Sequence, residues 1–118
     1  MKKEIEKATI TRLNDNTYAD KNDHIVSVSL DLDGGSIIGT PGYRKNSYTN
    51  FITNLMTILG ISDKSQIEGK QLLACTDYYT LLALGNELGT QWIVMKDVSK
   101  IISGDIIQYL ERQEDIER

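Results

Sequence analysis

The sequence has very little cysteine and histidine, and these two scarcities exclude several kinds of protein and site. The single cysteine, Cys75, cannot form a disulfide within the chain, which favours a reducing compartment. One cysteine and one histidine, His24, are too few for a zinc site, which usually takes about four such ligands. We therefore expect a protein without a bound metal or other cofactor.

Long apolar runs and a basic excess are also missing. The first residues, MKKEIEK, are charged and lack the apolar centre of a signal peptide. No apolar run approaches the length of about 20 residues that a helix needs to cross a bilayer. The net charge of −4 disfavours DNA and RNA as partners, because nucleic-acid binders need a basic face. We expect a cytoplasmic protein that does not bind membranes, and a local basic pocket for a small anion remains compatible with the composition.

What is present predicts one α+β domain over residues 1–118, with residues 113–118 expected to fray. The chain is 40% apolar and 25% charged, as in globular proteins. The pattern predicts an antiparallel β-sheet of about five strands with one central helix and a C-terminal helix. Period-two alternation is clearest over 24–32, where one face of the strand is apolar. The segments between 71 and 95 alternate little, which predicts strands covered on both faces or partly covered by a second subunit.

Two helices are predicted from apolar residues at helical spacing. The first spans Ser47–Leu59, with Ser47 as N-cap and Gly60 and Ile61 forming a Schellman-type end. The second spans Asp97–Arg112, capped by Asp97 or Ser99. Gly104 lies in its middle and either destabilises it by up to about 1 kcal/mol or divides it into two helices.

A glycine-rich stretch, LDLDGGSIIGTPGYR at 30–44, holds four of the nine glycines and the only proline. It contains neither a Walker motif nor a dinucleotide-binding G-x-G-x-x-G. Gly39, Gly42, Tyr43 and Arg44 precede the first helix, whose N-terminal N–H groups attract anions. In this hypothesis Arg44 binds a phosphate and Tyr43 stacks on a base. The alternative is an ordinary surface turn.

A second candidate cluster combines Tyr78, Tyr79, Asn86 and Trp92. Adjacent tyrosines on a strand point to opposite faces, so one is expected to pack and the other to stack on a ligand. Asn86, in a turn, has an amide suited to a ribose or a base edge. The alternative is a core tyrosine, a turn asparagine and a buried tryptophan.

Catalytic chemistry is poorly represented. The only nucleophile–base option pairs Cys75 with His24, and Cys75 lies in an apolar strand, where an inert buried thiol is the simpler interpretation. Asp31 and Asp33 share a strand face, but two carboxylates alone are a weak metal signal. We expect a binding protein and not an enzyme.

The order of segments resembles a family of small phage proteins over residues 8–96. Members of the family have, in order, a strand with a Leu-Asp-Tyr-Gly-Gly core, a Gly-Gly-Tyr turn and a helix that ends in Val-Gly-Val. The motifs Leu-x-Gly-Lys, Ile-Gly-(Asn/His) and Lys-x-x-Trp-Phe follow. The matching segments here are LDLDGGSIIGTPGYR, FITNLMTILGI, IEGKQL and ALGNELGTQWI. We associate this pattern with the first-described Thoeris anti-defence sponges. Thr40-Pro41 replaces a glycine–aromatic pair of the family, so the ligand can differ in this member.

The resemblance implies a phage anti-defence protein that sequesters a cyclic ADP-ribose-type immune signal without cleaving it. It points to Gly42, Tyr43 and Arg44 in the loop and to Asn86, with Tyr78 or Tyr79 stacking on adenine. It also implies a homodimer or a larger homo-oligomer in the host bacterial cytoplasm. The alternatives are a protein–protein inhibitor of a host defence enzyme and an enzyme that cleaves the same signal.

Overall fold

An antiparallel sheet of eight strands organises the chain in this computed structural model, which describes residues 3–17 and 24–117. The helices are α1 (Lys45–Leu59) and α2 (Ile106–Glu117), and a short 3-10 helix spans Lys64–Gln66. The strands are β1 (Lys3–Thr17), β2 (His24–Leu32), β3 (Ile37–Gly39), β4 (Tyr43–Arg44), β5 (Gln71–Asp77), β6 (Thr80–Gly85), β7 (Gln91–Val94) and β8 (Asp97–Ser103). They lie in the order β3-β2-β1-β5-β6-β7-β8, with β4 beside β2.

The α+β class is confirmed, whereas the number of about five strands is wrong. One reason is that Asp97–Ser103 is a strand and not the first half of a helix. This segment is rich in β-branched residues, which favour strands. Gly104 follows with φ +97°, a left-handed conformation that glycine adopts readily. The carboxylate of Asp105 then accepts a hydrogen bond from the N–H of Gln108, which makes Asp105 the N-cap of α2.

The glycine-rich stretch forms an interrupted edge strand. Both β3 and β4 pair with β2, with Gly39 opposite Ser29 and Tyr43 opposite Val26. Between these two pairs the edge strand advances by four residues and β2 by three. The edge strand therefore has one extra residue, as in a β-bulge. Pro41 lies within the interruption, where its missing N–H removes no sheet bond. The residues between β3 and the first helix, predicted as a loop, are thus attached to β2 through β4.

The first helix is confirmed, although its start differs. It begins at Lys45, and Arg44 occupies the N-cap position without a side-chain cap, so Ser47 lies inside the first turn. Its end is as predicted. Gly60 has φ 69°, and the N–H of Ile61 donates to the carbonyl oxygen of Met56 at 3.1 Å. This is the 6→1 bond of a Schellman motif.

The two helices cover opposite faces of the sheet, and each face has its own apolar cluster. With Phe51 and Leu55 buried, α1 packs against β8, β4, β2 and β7. Ile106 and Leu110 of α2 pack on Cys75, Ala83, Trp92 and Val94. Strands β5 to β7 are therefore covered on both faces by the chain itself. In the described residues no helix is long and apolar enough to span a bilayer.

A candidate ligand-binding cavity

A cavity of about 480 Å³ opens where α2 crosses the end of β7. Strand pairing between β6 and β7 stops at Ala83 and Val94. The chain then turns into β8, while β6 begins three residues earlier at Thr80. Beyond the pair of Ala83 and Val94, the N–H of Met95 still donates to the carbonyl oxygen of Leu82. The start of β6 lines the cavity, and α2 contributes Tyr109, Leu110, Gln113 and Glu114. Pro41 of the glycine-rich segment also lines it.

The apolar lining and the charged rim come from different elements. The apolar side chains belong to the ends of β6 and β7 and to α2, and they are Leu81, Leu82, Val94, Met95 and Leu110. Three lysines, Lys3, Lys96 and Lys100, contribute positive charge, against the two carboxylates of Asp97 and Glu114. In a chain of net charge −4, these five groups form a locally positive site.

Both carboxylates of the cavity have partners within the protein. Glu114 Oε1 lies 2.8 Å from Lys3 Nζ, and this hydrogen bond raises the pKa of Lys3. Asp97 accepts hydrogen bonds from the hydroxyl and the N–H of Ser99, which lower its pKa. The lowered pKa keeps the carboxyl group of Asp97 charged at neutral pH. Because Ser99 is neutral, Asp97 keeps its negative charge, and the three lysines and two carboxylates of the cavity sum to one positive charge.

An aromatic ring lies next to one of these lysines. The ammonium of Lys100 is 5.9 Å from the ring centre of Tyr109, within the range of a cation–π contact. Tyr109 is half-buried at the cavity wall. A lysine beside a ring and an apolar lining suits a ligand that has both an anionic group and a flat ring. This combination was missed in the sequence, because Lys96, Lys100 and Tyr109 are not part of any motif.

The only cysteine of the chain lies below α2 and outside the cavity lining. Cys75 has no exposed surface, and burial raises the pKa of its thiol to about 11. A thiol with such a pKa is almost entirely protonated at neutral pH and is a poor nucleophile. Among residues 3–17 and 24–117, no group of His, Cys, Asp and Glu is arranged to hold a metal ion.

Two aromatic residues predicted to contact a ligand lie in the core. The hydroxyl of Tyr43 donates to the carbonyl oxygen of Met95 at 2.7 Å, and its ring packs on Phe51. Trp92 is 1% exposed, and its indole N–H donates to the carbonyl oxygen of Gly89. Neither ring has a free face in this conformation. Tyr43 instead joins the edge strand to the end of β7, next to the cavity.

Asn86 organises the turn between β6 and β7. Its amide nitrogen donates to the hydroxyl of Thr90 at 2.9 Å, and its amide oxygen accepts from the N–H groups of Thr90 and Gln91. Both ends of the amide are thus engaged within the turn. The structure supports the turn-asparagine alternative, and Asn86 does not line the cavity.

We expect Asn86→Ala to destabilise the fold by about 1–2 kcal/mol, because backbone donors of the turn lose their acceptor. Nucleotide affinity should not change. Urea unfolding followed by circular dichroism measures the first quantity and calorimetry the second. Asn46→Ala, at an exposed position of α1, is the matched control. A loss of affinity with unchanged stability would instead support the predicted ligand contact.

The two adjacent tyrosines are turn residues and not strand residues. Tyr78 and Tyr79 connect β5 to β6 and are 74% and 90% exposed. The expectation that one of them packs is wrong, because side chains of a two-residue turn project away from the sheet. Tyr78 has φ 56°, an uncommon conformation for a non-glycine residue. Tyr79 precedes Thr80, which lines the cavity.

The remaining predicted residues lie along the interrupted edge strand. Gly39 ends β3, and a Cβ on Gly42 would lie 2.9 Å from Ile25 Cγ2, so Gly42 permits close packing on β2. Arg44 is exposed beside Ile25. Pro41, between the two glycines, is the member of this segment that reaches the cavity. The structure therefore does not gather the eight predicted residues into one site.

Comparison with known proteins gives no relative on which to base an assignment. Neither a protein-family model, nor a curated protein, nor a solved structure matches this chain.

Proposed function

We propose that this chain binds and sequesters a cyclic ADP-ribose-type nucleotide signal, without cleaving it, in the cavity below α2. In this proposal it is a phage anti-defence protein that acts in the host bacterial cytoplasm as a homodimer or larger homo-oligomer. The family resemblance of the sequence motivates the ligand class. The observation that carries the proposal is the lysine-rimmed cavity, with Tyr109 at its wall.

The size and lining of the cavity suit a small nucleotide. Its volume of about 480 Å³ falls within the range of about 300–1,000 Å³ that is typical of small-molecule sites. Such sites combine an apolar surface with a few polar groups that orient the ligand. Here Lys96 and Lys100 are suited to the phosphates, because lysine binds phosphate as a point charge. Tyr109 offers a ring for stacking.

A second function, inhibition of a host enzyme by direct contact, is favoured by a different observation. Tyr78 and Tyr79 extend from the β5–β6 turn with most of their surface exposed. Tyrosine is enriched at protein interfaces, where it often supplies much of the binding energy. A protruding pair of tyrosines is therefore suited to insertion into a partner protein.

Calorimetry with cyclic ADP-ribose isomers separates these functions. Sequestration predicts strong binding of at least one isomer and weak binding of adenosine, which lacks phosphate. Heating the loaded protein should release the ligand with its mass unchanged, whereas an enzyme would release a product. No binding of any isomer, together with a host protein that no longer co-purifies after Tyr78→Ala/Tyr79→Ala, would replace sequestration with inhibition.

A further inference from the structure

We propose that α2 is a lid over the cavity, and that Lys3 changes its carboxylate partner from Glu114 in the closed state to Asp77 in the open state. The purpose of such a lid, ligand entry and retention, rests on the proposed function. The contacts that support the lid itself all lie within the chain and do not depend on that function.

The attachment of α2 is concentrated at its first half. The helix follows Gly104, a residue with a left-handed backbone that divides β8 from α2. Ile106 and Leu110 are its buried anchors, in the cluster that also contains Cys75 and Trp92. The helix lines the cavity from Tyr109 and Leu110 onwards to Gln113 and Glu114. The helix therefore has a hinge at one end and a cavity under the other.

Among the residues that the structure describes, an ion pair joins the second half of α2 to the sheet. Lys3 Nζ lies 2.8 Å from Glu114 Oε1, and the side chain of Lys3 is only 6% exposed, compared with 51% for Glu114. Because Glu114 is half-exposed, such an ion pair contributes about 1 kcal/mol or less. Lys3 thus holds the helix down for as long as Glu114 is its partner.

A second carboxylate lies within reach of the same ammonium group. Asp77 is directly opposite Lys3 in the β1–β5 pair, so the two side chains share one face of the sheet. Asp77 Oδ1 is buried and accepts no hydrogen bond from the described residues. Buried oxygens without a donor are rare in folded proteins. The open state gives this oxygen a donor, because Lys3 turns to Asp77 when Glu114 moves away.

The buried thiol of Cys75 reports opening without any ligand. Because Cys75 is fully buried beneath Ile106 and Leu110, a maleimide can label it only when α2 lifts as a whole, with these two residues, or when the protein unfolds. Unfolding in urea gives the contribution of global unfolding to the labelling rate, and this contribution is subtracted from the observed rate. We expect Glu114→Gln to accelerate native labelling about fivefold, as loss of an ion pair of about 1 kcal/mol predicts. Asp115→Asn, which removes the neighbouring charge of the same helix, should label at the wild-type rate. Equal rates for Glu114→Gln and wild type would overturn the lid.

Asp77→Asn should change opening in the other direction. Without Asp77 the open state loses its partner for Lys3, and the closed state loses a carboxylate whose buried Oδ1 has no hydrogen-bond donor among the described residues. Because Asp77 also influences the thiol of Cys75, opening is read from hydrogen exchange of the α2 amides. We expect slower exchange than in the wild type. Equal or faster exchange would show that Asp77 has only a structural role and would overturn the exchange of partners.

Adding each of the cyclic ADP-ribose isomers used in calorimetry as a probe separates this inference from the proposed function. A ligand in the cavity should slow both labelling and amide exchange in the wild type. If the variants behave as expected and no nucleotide has any effect, the lid stands and the nucleotide function fails. If nucleotides bind in calorimetry and Glu114→Gln changes neither labelling nor exchange, only the lid fails.

Discussion

Replacing Gly85 by alanine is expected to destabilise the fold by about 3 kcal/mol, through overpacking of the core. An added Cβ would lie 2.6 Å from the Cδ2 and Cε3 atoms of the Trp92 ring. That ring cannot move away easily, because Trp92 is 1% exposed and its indole N–H donates a hydrogen bond to the carbonyl oxygen of Gly89. Relief would require movement of β7 or of α2, which packs on the same ring.

Urea unfolding followed by tryptophan fluorescence measures this effect, since Trp92 is the only tryptophan. Gly39→Ala is the matched control. Its Cβ would meet only the carbonyl oxygen of Val28, at 3.6 Å, so we expect a change of less than about 1 kcal/mol. An unchanged unfolding midpoint for Gly85→Ala would mean that the ring does not pack on Gly85 in solution.

Replacing Lys96 and Lys100 together by glutamine is expected to weaken binding of a cyclic ADP-ribose isomer about 100-fold. Hydrogen bonds to charged groups contribute about 1.5–3 kcal/mol each, and about 1.4 kcal/mol corresponds to a factor of ten in affinity. Both lysines are exposed at the rim of the cavity, so the substitutions should leave the melting temperature nearly unchanged. Calorimetry at a fixed salt concentration provides the affinities.

The control for charge alone is Lys7→Gln/Lys70→Gln, which removes the same charge away from this cavity. We expect it to bind within about twofold of the wild type, because exposed charges beyond about 10 Å are largely screened at 0.1 M salt. Similar losses for both double variants would indicate general electrostatic attraction and not a site between these lysines.

Strong periodic patterns predicted the fold best. The alternation of β2 survives in the structure because its apolar face packs on α1 and its polar face stays partly open. The stripe of α1 and its Gly60–Ile61 end were likewise predictable, because both depend on neighbours in sequence. The lack of alternation in β5 to β7 indicated strands covered on two faces, which α1 and α2 now explain.

The cavity could not be predicted, because it depends on where the last helix begins. On one continuous helix, Lys100 and Tyr109 would be nine residues apart and would point to opposite sides, since each residue turns the helix by about 100°. With Lys100 on β8 and Tyr109 on α2, the turn at Gly104 brings them within 5.9 Å. Val98, Ile101 and Ile102 fit both a helical stripe and a strand, so the local pattern did not decide between the two.

The glycine-rich segment has a different role in the structure from the one that its composition predicts. Its glycines were interpreted as a loop that exposes N–H groups to an anion. In the structure, Thr40 binds β2 through its N–H and its hydroxyl, and Gly42 packs closely against Ile25. Composition marks such a segment as special but does not distinguish close packing from ligand binding. Nucleotide binding by Arg44 remains a prediction.

The most direct test of the central claim is an NMR titration of the ¹⁵N-labelled protein with a cyclic ADP-ribose isomer. If the cavity holds the nucleotide, the amide signals of residues 95–100 and 109–114 should shift together and saturate. Absence of shifts at millimolar ligand, or shifts confined to Gly42–Arg44, would contradict a binding site below α2.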